Sequence, residues 1–565
     1  MKKFFIILIT LFYFSVSGSA QNACTGRQSA HIRLVGDSWL HFPALYHAYD
    51  SALAKYGFAD YFTVSDGSVL ISMTAETWWQ FPLARFALEA SLNTDAARPI
   101  DIVMVSLGGN DVAFKIHKGD SLNVLDDNLF KAKLLMDSIF DFIHAKIPKA
   151  QIIWQCYDYP NFNDPCLDFP WDPYCDLWRS HGYASPFEIN RFMGYITHYQ
   201  DSVVSAYQKP YMHFFNGLGL MQWCYGQITP LRYEPYGTYP PRSVPFPGGN
   251  IFYPSPHPAM GLLGIDTYHL SPQGYTYLAE FYMRKFINNY LRRERDTSVY
   301  SMGQSYDGWV SANTITGTGD VQIGKRNTQN TRGIFSFNTD FIPDNKIIKK
   351  AYLFLKCKDI KTPYPLGNPF PQTFTLDIKS GSYGNTSIEA SDYNEAASLS
   401  DVACFTGTLL GRDYTLRADI HANALHYINK TGITQFRLDV TDDNLITFFN
   451  GDTTEFEGPY LDIYYDTTSI VSGVINKQNT DRTLQLFPNP ATTEVMLKLN
   501  KEWLNKKFAL SIFNTEGKFI SSETYDRVMN SELKIDVSKL AAGGYFISIE
   551  DEKNKTVGTF VKVRE

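Results

Sequence analysis

Between about Ala30 and Arg293, short apolar runs alternate with longer stretches of helical spacing, and this alternation constrains the fold more than any other feature. Ile32–Val35, Ile102–Ser106, Ile152–Gln155 and Met212–Phe215 have the length and content of strands buried on both faces. Leu122–Lys146 places Leu134, Leu135, Ile139, Phe142 and Ile143 at helical spacing. A later helix starts with Ser271 as cap and Pro272 as first residue, and turns Leu278, Tyr282 and Phe286 inward. Strands that alternate with helices predict a parallel sheet covered by helices on both faces. Residues 157–262 interrupt the pattern with a stretch rich in Pro, Trp and Tyr, which predicts a long insertion walling a binding site.

Past Asp296 the period changes. Val321–Ile323, Gly333–Asn338 and Lys350–Lys356 are short, β-branched or aromatic, and separated by Gly, Asn and Asp, which predicts an all-β sandwich. The expected organisation is a leader at 1–20, an α/β domain at 21–295, a β-sandwich at 296–466, a polar linker at 467–482 and a final block of strands at 483–565. Several hydrophobic cores are needed, since 565 residues exceed what one core supports. The leader reading rests on Lys2 and Lys3 before an apolar run that ends in Gly18-Ser19-Ala20. Export makes the seven cysteines candidates for disulfides: Cys166 with Cys175, Cys357 with Cys404, Cys156 with Cys224, and Cys24 left over. No cysteine or histidine cluster has zinc-site spacing, so no metal or other cofactor is expected. A net charge of −7 argues against a nucleic-acid or anionic-membrane surface.

Three segments carry reactive side chains where an open parallel sheet binds ligands, beyond the carboxyl ends of its strands. "LVGDSWLHF" puts Ser38 directly after the first strand. "VMVSLGGNDV" puts Asn110 after another strand, with Gly108 and Gly109 allowing a sharp bend. "GIDTYHLSPQG" puts Asp266 and His269 three residues apart, a spacing that lets one turn aim a carboxylate at an imidazole. A lone Gly-Asp-Ser is most often a turn, Asn110 alone a loop former, and His269 alone a residue near a helix cap. The three in order are harder to explain that way. Asp37 and Asp111 read as residues that tie down loops, and His257 as a rival base with no acid near it in sequence. Among Trp39, Trp78 and Trp79, Trp39 has the best claim to line a pocket.

The set "GDSW", "GGND" and "DTYHLSPQG" resembles the SGNH (GDSL) hydrolase family over roughly residues 30–293. The resemblance implies a flavodoxin-like αβα sandwich that hydrolyses esters. Ser38 matches its nucleophile, Asn110 its oxyanion-hole amide, and Asp266 with His269 its acid–base pair. The family's remaining block offers a glycine N–H to the oxyanion hole. Here Ser72 stands at that place, with Gly67 the alternative, and the Ser38 N–H completes the set.

Residues 300–466, with "DGWV" and "RGIFSFN", resemble DNRLRE-type carbohydrate-binding modules, which implies a polysaccharide ligand; a stabilising spacer is the other reading. Lys325, Arg326 and Arg332 could face a polyanionic glycan. Residues 483–565, with "LFPNPATTEVMLKL", "ALSIFNTEGKFI", "DVSKLAAGGYFISIE" and "GTFVKVRE", resemble the type A sorting domain of the type IX secretion system. That implies export through the periplasm to the medium or cell surface, with the secretion machinery as partner. The expected activity is a secreted serine esterase acting on acyl, foremost acetyl, esters of a carbohydrate. A lipase or lysophospholipase, or an inactive glycan-binding surface protein, are the alternatives.

Overall fold

A computed structural model of the chain describes Cys24 and residues 31–563, apart from internal stretches of which the longest are 167–174, 228–237, 364–371 and 466–483. The expected leader, the expected linker and Gly67 lie outside the described residues. The chain divides into two compact units, Met1–Ser469 and Ile470–Glu565.

The first unit begins with five strands: β1 (His31–Gly36), β2 (Phe62–Val64), β3 (Ile100–Ser106), β4 (Gln151–Trp154) and β5 (Met212–Phe214). All neighbours pair in parallel, in the order 2-1-3-4-5. This is the flavodoxin-like doubly wound order. Alternate side chains of one strand serve opposite faces. Ile32, Leu34, Ile102 and Met104 pack in one core with helices α1 (Ser38–Leu45) and α2 (Ala48–Lys55). Val35, Val103 and Val105 pack in the other with α3 (Ala75–Gln80), α4 (Pro82–Ser91) and, beyond the short α5 (Gly109–Ala113), α6 (Leu122–Lys146). Because both faces are covered, the strands read as largely apolar runs, interrupted by Arg33 in β1, Asp101 in β3 and His213 in β5.

The helix expected at Leu122–Lys146 is present over those residues, and Ile139 and Ile143 are fully buried. Leu134 is 51% exposed, so its helical spacing with the core residues does not bring it inside. The insertion is more regular than expected. It contains α7 (Pro186–Tyr207), whose Ile189, Phe192, Met193 and Ile196 enter the core, so α7 is the crossover between β4 and β5. Next come α8 (Leu220–Tyr225) and α9 (Pro272–Tyr282), the latter with the Ser271 side chain accepting from the Gly274 N–H at 3.1 Å. Gly36 ends β1 because no side chain fits there: a Cβ would lie 2.1 Å from the Ser106 carbonyl oxygen.

The remainder of this unit is antiparallel. Thr373–Ser380, Ile433–Thr441, Gln329–Asn338, Val321–Arg326 and Leu445–Phe448 hydrogen-bond side by side. The long strand Ile348–Lys361 pairs with Leu445–Phe448 through its second half, and through its first half with Thr415–Ile420 and Tyr460–Tyr465. One strand thus runs through both layers of the sandwich, and Leu353, Leu355, Phe335, Phe436 and Leu461 fill the space between them. Lys325 pairs with Asp443, Arg326 lies 4.0 Å over Trp309, and Arg332 bonds Asp439 at 3.0 Å. Each of the three cations is therefore engaged within the sandwich.

The sandwich is docked firmly on the α/β layer. Arg417, 1% exposed, donates to Asp60 Oδ1 and Oδ2 at 3.0 Å each, to the Gly57 carbonyl at 3.0 Å and to Asp419 at 2.7 Å. Arg292, at the end of the helical run that continues α9 through Leu291, donates to Asp462 Oδ1 at 2.7 Å and lies 4.2 Å over the Tyr460 ring. Phe354 of the sandwich joins the α/β core, 5.8 Å from Phe58. Cys24 pairs with Cys404, so the cysteine expected to be left over joins the segment before β1 to the sandwich. Cys357 is consequently a free buried thiol, as is Cys156, and Cys224 is also unpaired, while Cys166–Cys175 forms as expected. These partners precede β1 and β2 or follow α9, at the amino ends of the strands.

The second unit is a smaller antiparallel sandwich. Gln485–Phe487, Glu494–Lys498 and Glu532–Asp536 form one sheet; Phe519–Tyr525, Phe508–Asn514, Gly543–Glu550 and Lys555–Lys562 form the other. Val495, Leu497, Trp503, Ile512, Ile547 and Phe560 make its core.

Candidate active site

The strand order 2-1-3-4-5 leaves a crevice at the carboxyl ends of β1 and β3, and the sequence loads that crevice with polar groups. Asp37 caps α1: its Oδ1 accepts from the Trp39 N–H at 2.9 Å. Ser38 is the first residue of the helix and is buried. Its N–H belongs to the first turn, whose donors have no intrahelical acceptor.

On the other side of the crevice, Asp266 organises its own loop. Its Oδ1 accepts from the N–H groups of Tyr268 and His269, both at 2.9 Å, which is why the spacing of three residues works. Its Oδ2 meets His269 Nδ1 at 2.7 Å, and His269 Nε2 meets Ser38 Oγ at 2.8 Å. The carboxylate makes Nδ1 the protonated nitrogen and leaves Nε2 to accept the serine proton. All three side chains are buried, and Phe42 from α1 covers the imidazole with ring centroids 4.6 Å apart. Residues 228 positions apart in sequence thus share one hydrogen-bonded line, Ser38–His269–Asp266.

Asn110 lies in α5 and donates through Nδ2 to the Met73 carbonyl at 2.9 Å. An amide nitrogen carries two hydrogens, so this bond orients the second one. The Ser72 segment runs beside the end of β1: Val69 bridges Gly36, and the Leu70 N–H donates to the Gly36 carbonyl at 3.0 Å. Ser72 itself has φ +61°, a backbone conformation that suits glycine, and its side chain is exposed. Asp111 caps α3, accepting from the Ala75 and Glu76 N–H groups at 2.6 and 3.0 Å. His257 is exposed on a short 3₁₀ turn.

Trp39 turns into the core. It is 5% exposed and packs edge-on against Tyr157 and Tyr275, because it falls on the inward face of α1. Trp78 is fully buried as well, and Trp79 lies beneath Arg85 at 4.3 Å. Three contributors escape a reading of motifs alone: Phe42, Ser106 and Tyr157. Tyr157 follows β4 at its carboxyl end, and that position was the available signal.

Two buried carboxyls here are held by donors while burial opposes their charge. Asp158 accepts from the N–H groups of Tyr159, Gly219 and Met221 at 2.7, 2.7 and 2.8 Å, yet burial pushes its pKa up to about 6. A raised folded pKa means that between about pH 4 and 6 the native chain keeps a proton the unfolded chain has released. The stability contributed is full below the unfolded value and falls as pH rises through 6. The stability of the wild type minus that of Asp158→Asn should therefore be larger at pH 4.5 than at pH 7, by about 2 kcal/mol, in urea titrations. An equal difference at both pH values would contradict the assignment.

No curated protein sequence matches this chain. Similar solved structures include an extracellular lipase from Streptomyces rimosus, 11% identical, covering 46% of this chain and 100% of that one with a TM-score of 0.25. Another is a phospholipase A1 from Streptomyces albidoflavus, 11% identical, with the same coverage of 46% and 100% and a TM-score of 0.23. TM-scores this low carry no argument; the fold stands on its strand order and the site on its distances. Residues 485–563 match the family described as the secretion system C-terminal sorting domain.

Proposed function

We propose that the chain is a secreted serine esterase of the SGNH (GDSL) class that removes acyl groups, foremost acetyl, from a carbohydrate. The observation that carries this reading is the line Ser38–His269–Asp266, with contacts of 2.8 and 2.7 Å in a crevice at strand carboxyl ends. His269 Nε2 takes the Ser38 proton as Oγ attacks the ester carbonyl, and Asp266 stabilises the imidazolium so formed. The developing oxyanion meets the Ser38 N–H, the backbone at Ser72 and the second N–H of Asn110. Losing one such donor costs about 3 kcal/mol in the transition state. His269 then returns the proton to the leaving alcohol, and water, activated by the same imidazole, releases the acyl group from Ser38.

The sorting domain supports an extracellular ester. The sugar part of the reading draws on the sandwich, which lies at the amino ends of the strands and so would anchor the enzyme on a polymer without walling the crevice. A second reading has its own observation. Leu70 and Ile71, beside the end of β1, are 45% and 50% exposed, and such side chains suit a long acyl chain. The purified protein, assayed on p-nitrophenyl esters of increasing chain length and on acetylated polysaccharides, separates the two. Fastest turnover of acetyl esters supports the deacetylase; a maximum at long chains supports the lipase; no turnover of any ester favours the inactive binder.

A further inference from the structure

A second carboxylate lies beneath the nucleophile, and the mechanism above makes no use of it. Asp37 is fully buried and receives three donors: the Tyr157 hydroxyl at 2.7 Å on Oδ2, and on Oδ1 the Ser106 hydroxyl at 2.8 Å and the Trp39 N–H at 2.9 Å. Its own N–H donates to the Ser106 carbonyl at 2.8 Å. The Tyr157 hydroxyl also lies against Gly109, immediately before Asn110: a Cβ on Gly109 would be 2.7 Å from it. The ring occupies the space a side chain at 109 would need, since a Cβ there would lie 2.4 Å from Tyr157 Cζ. Three strand ends therefore meet on one group: Asp37 after β1, Ser106 closing β3 and Tyr157 after β4.

We infer that Asp37 is a positioning residue: with Tyr157 and Ser106 it clamps the loop that carries Ser38 to the loop that carries Asn110, and so sets the width of the oxyanion hole. The inference rests on the reading of Ser38 as nucleophile. The two oxyanion donors sit on different loops, and nothing in either loop alone determines their separation. Trp39, which follows the nucleophile, is held from one side by Asp37 and from the other by the Gln155 amide, which donates to its carbonyl at 2.8 Å. Gln155 and Tyr157 both follow β4, so that strand end buttresses both halves of the hole.

The clamp is proton-dependent. Burial pushes the Asp37 carboxyl up to about 6, against the pull of Tyr157, then Ser106 and Trp39. The other titratable groups facing it are His269, before α9, and Tyr275, within α9. A proton on Oδ2 turns that oxygen from acceptor to donor, so the Tyr157 bond must reverse and its hydroxyl hydrogen must leave Asp37. Activity should thus fall on the acid side as Asp37 protonates.

Tyr157→Phe tests this, since it keeps the ring against Gly109 and removes only the hydroxyl. Steady-state kinetics of the full chain on p-nitrophenyl acetate, from pH 4.5 to 9, should show kcat lowered about 10- to 100-fold with KM within about twofold, the pattern of a misplaced donor. The acid limb should move to higher pH, because the strongest hydrogen bond favouring the Asp37 anion is gone. Ser106→Ala should shift the limb in the same direction by less, and carries the test if Tyr157→Phe does not fold. A wild-type kcat, or a lowered kcat with the acid limb unmoved, overturns the clamp alone. A wild-type chain that turns over no ester overturns the serine-esterase reading and the clamp with it.

Discussion

Ser38→Ala should lower ester turnover by about 10⁴- to 10⁶-fold while leaving the thermal midpoint within a few degrees of the wild type. The size follows from what the hydroxyl does in the proposed mechanism. It is the only group on the His269–Asp266 line able to form the acyl-enzyme, and an imidazole facing a methyl group has no proton to take. The remaining catalysis would come from binding and the oxyanion donors, which favour the transition state but supply no nucleophile. Structural cost should be small. Ser38 is the first residue of α1, and the helix is capped by Asp37, not by the serine. Stopped-flow release of p-nitrophenol gives a second readout, since the wild type should show a burst of acyl-enzyme formation that the variant lacks. Retention of rate in Ser38→Ala would move the nucleophile elsewhere.

Arg417→Ala should destabilise the first unit by about 3–5 kcal/mol, the expected penalty for removing one member of a buried ionic network. The guanidinium spans the two layers: Asp60 and the Gly57 carbonyl come from the α/β layer, Asp419 and the Thr406 hydroxyl from the sandwich. Removing it leaves two carboxylates and a carbonyl facing each other with no cation. The lost side chain would leave a void as well, since its guanidinium lies over the Phe58 and Tyr352 rings. Urea unfolding followed by tryptophan fluorescence should show an earlier midpoint. Asp60→Asn together with Asp419→Asn should recover part of the loss in the Arg417→Met background, because the uncompensated charge is then gone. If Arg417→Ala unfolded like the wild type, the sandwich would be a loosely tethered module and not part of the first unit's framework.

That docking bears on how the middle domain is understood. As a carbohydrate-binding module it would be expected to move freely, whereas here Phe354 enters the α/β core and Cys24–Cys404 ties the segment before β1 to the sandwich. Truncation after residue 295 should therefore cost stability before it reveals anything about glycan binding. Arg332, one candidate glycan contact, already bonds Asp439 and the Tyr393 carbonyl, at 3.0 and 2.8 Å.

Local order was the legible part of this chain. The apolar runs of β1, β3, β4 and β5 stand out because both faces of the sheet are covered. β2 went unseen because it is an edge strand whose Thr63 and Val64 are only half-buried, so it carries no apolar run. Pro186–Tyr207 went unseen because its helical spacing lies amid Pro- and Trp-rich flanks, although Pro186 and Glu188 are ordinary helix-start signals. Ser38, Asn110, Asp266 and His269 could be picked out because each sits at a strand end or a helix start, where an open sheet presents its groups. Trp39 is buried for a geometric reason: adjacency to Ser38 in sequence puts a helical residue 100° away around the axis, here into the core.

By itself the sequence determined the doubly wound layer, the β-rich remainder, the sorting domain and the candidate site residues, since periodicity and local turn chemistry depend on neighbours a few residues away. Only the tertiary structure decided which of those side chains meet. It joined Cys24 to Cys404, brought Ser38 within 2.8 Å of His269, and gathered Asp37, Ser106 and Tyr157 from three strands onto one buried carboxylate. Contacts of that kind are selected by packing of the whole sheet, because their cost in chain entropy is met by the core and not by the pairs themselves.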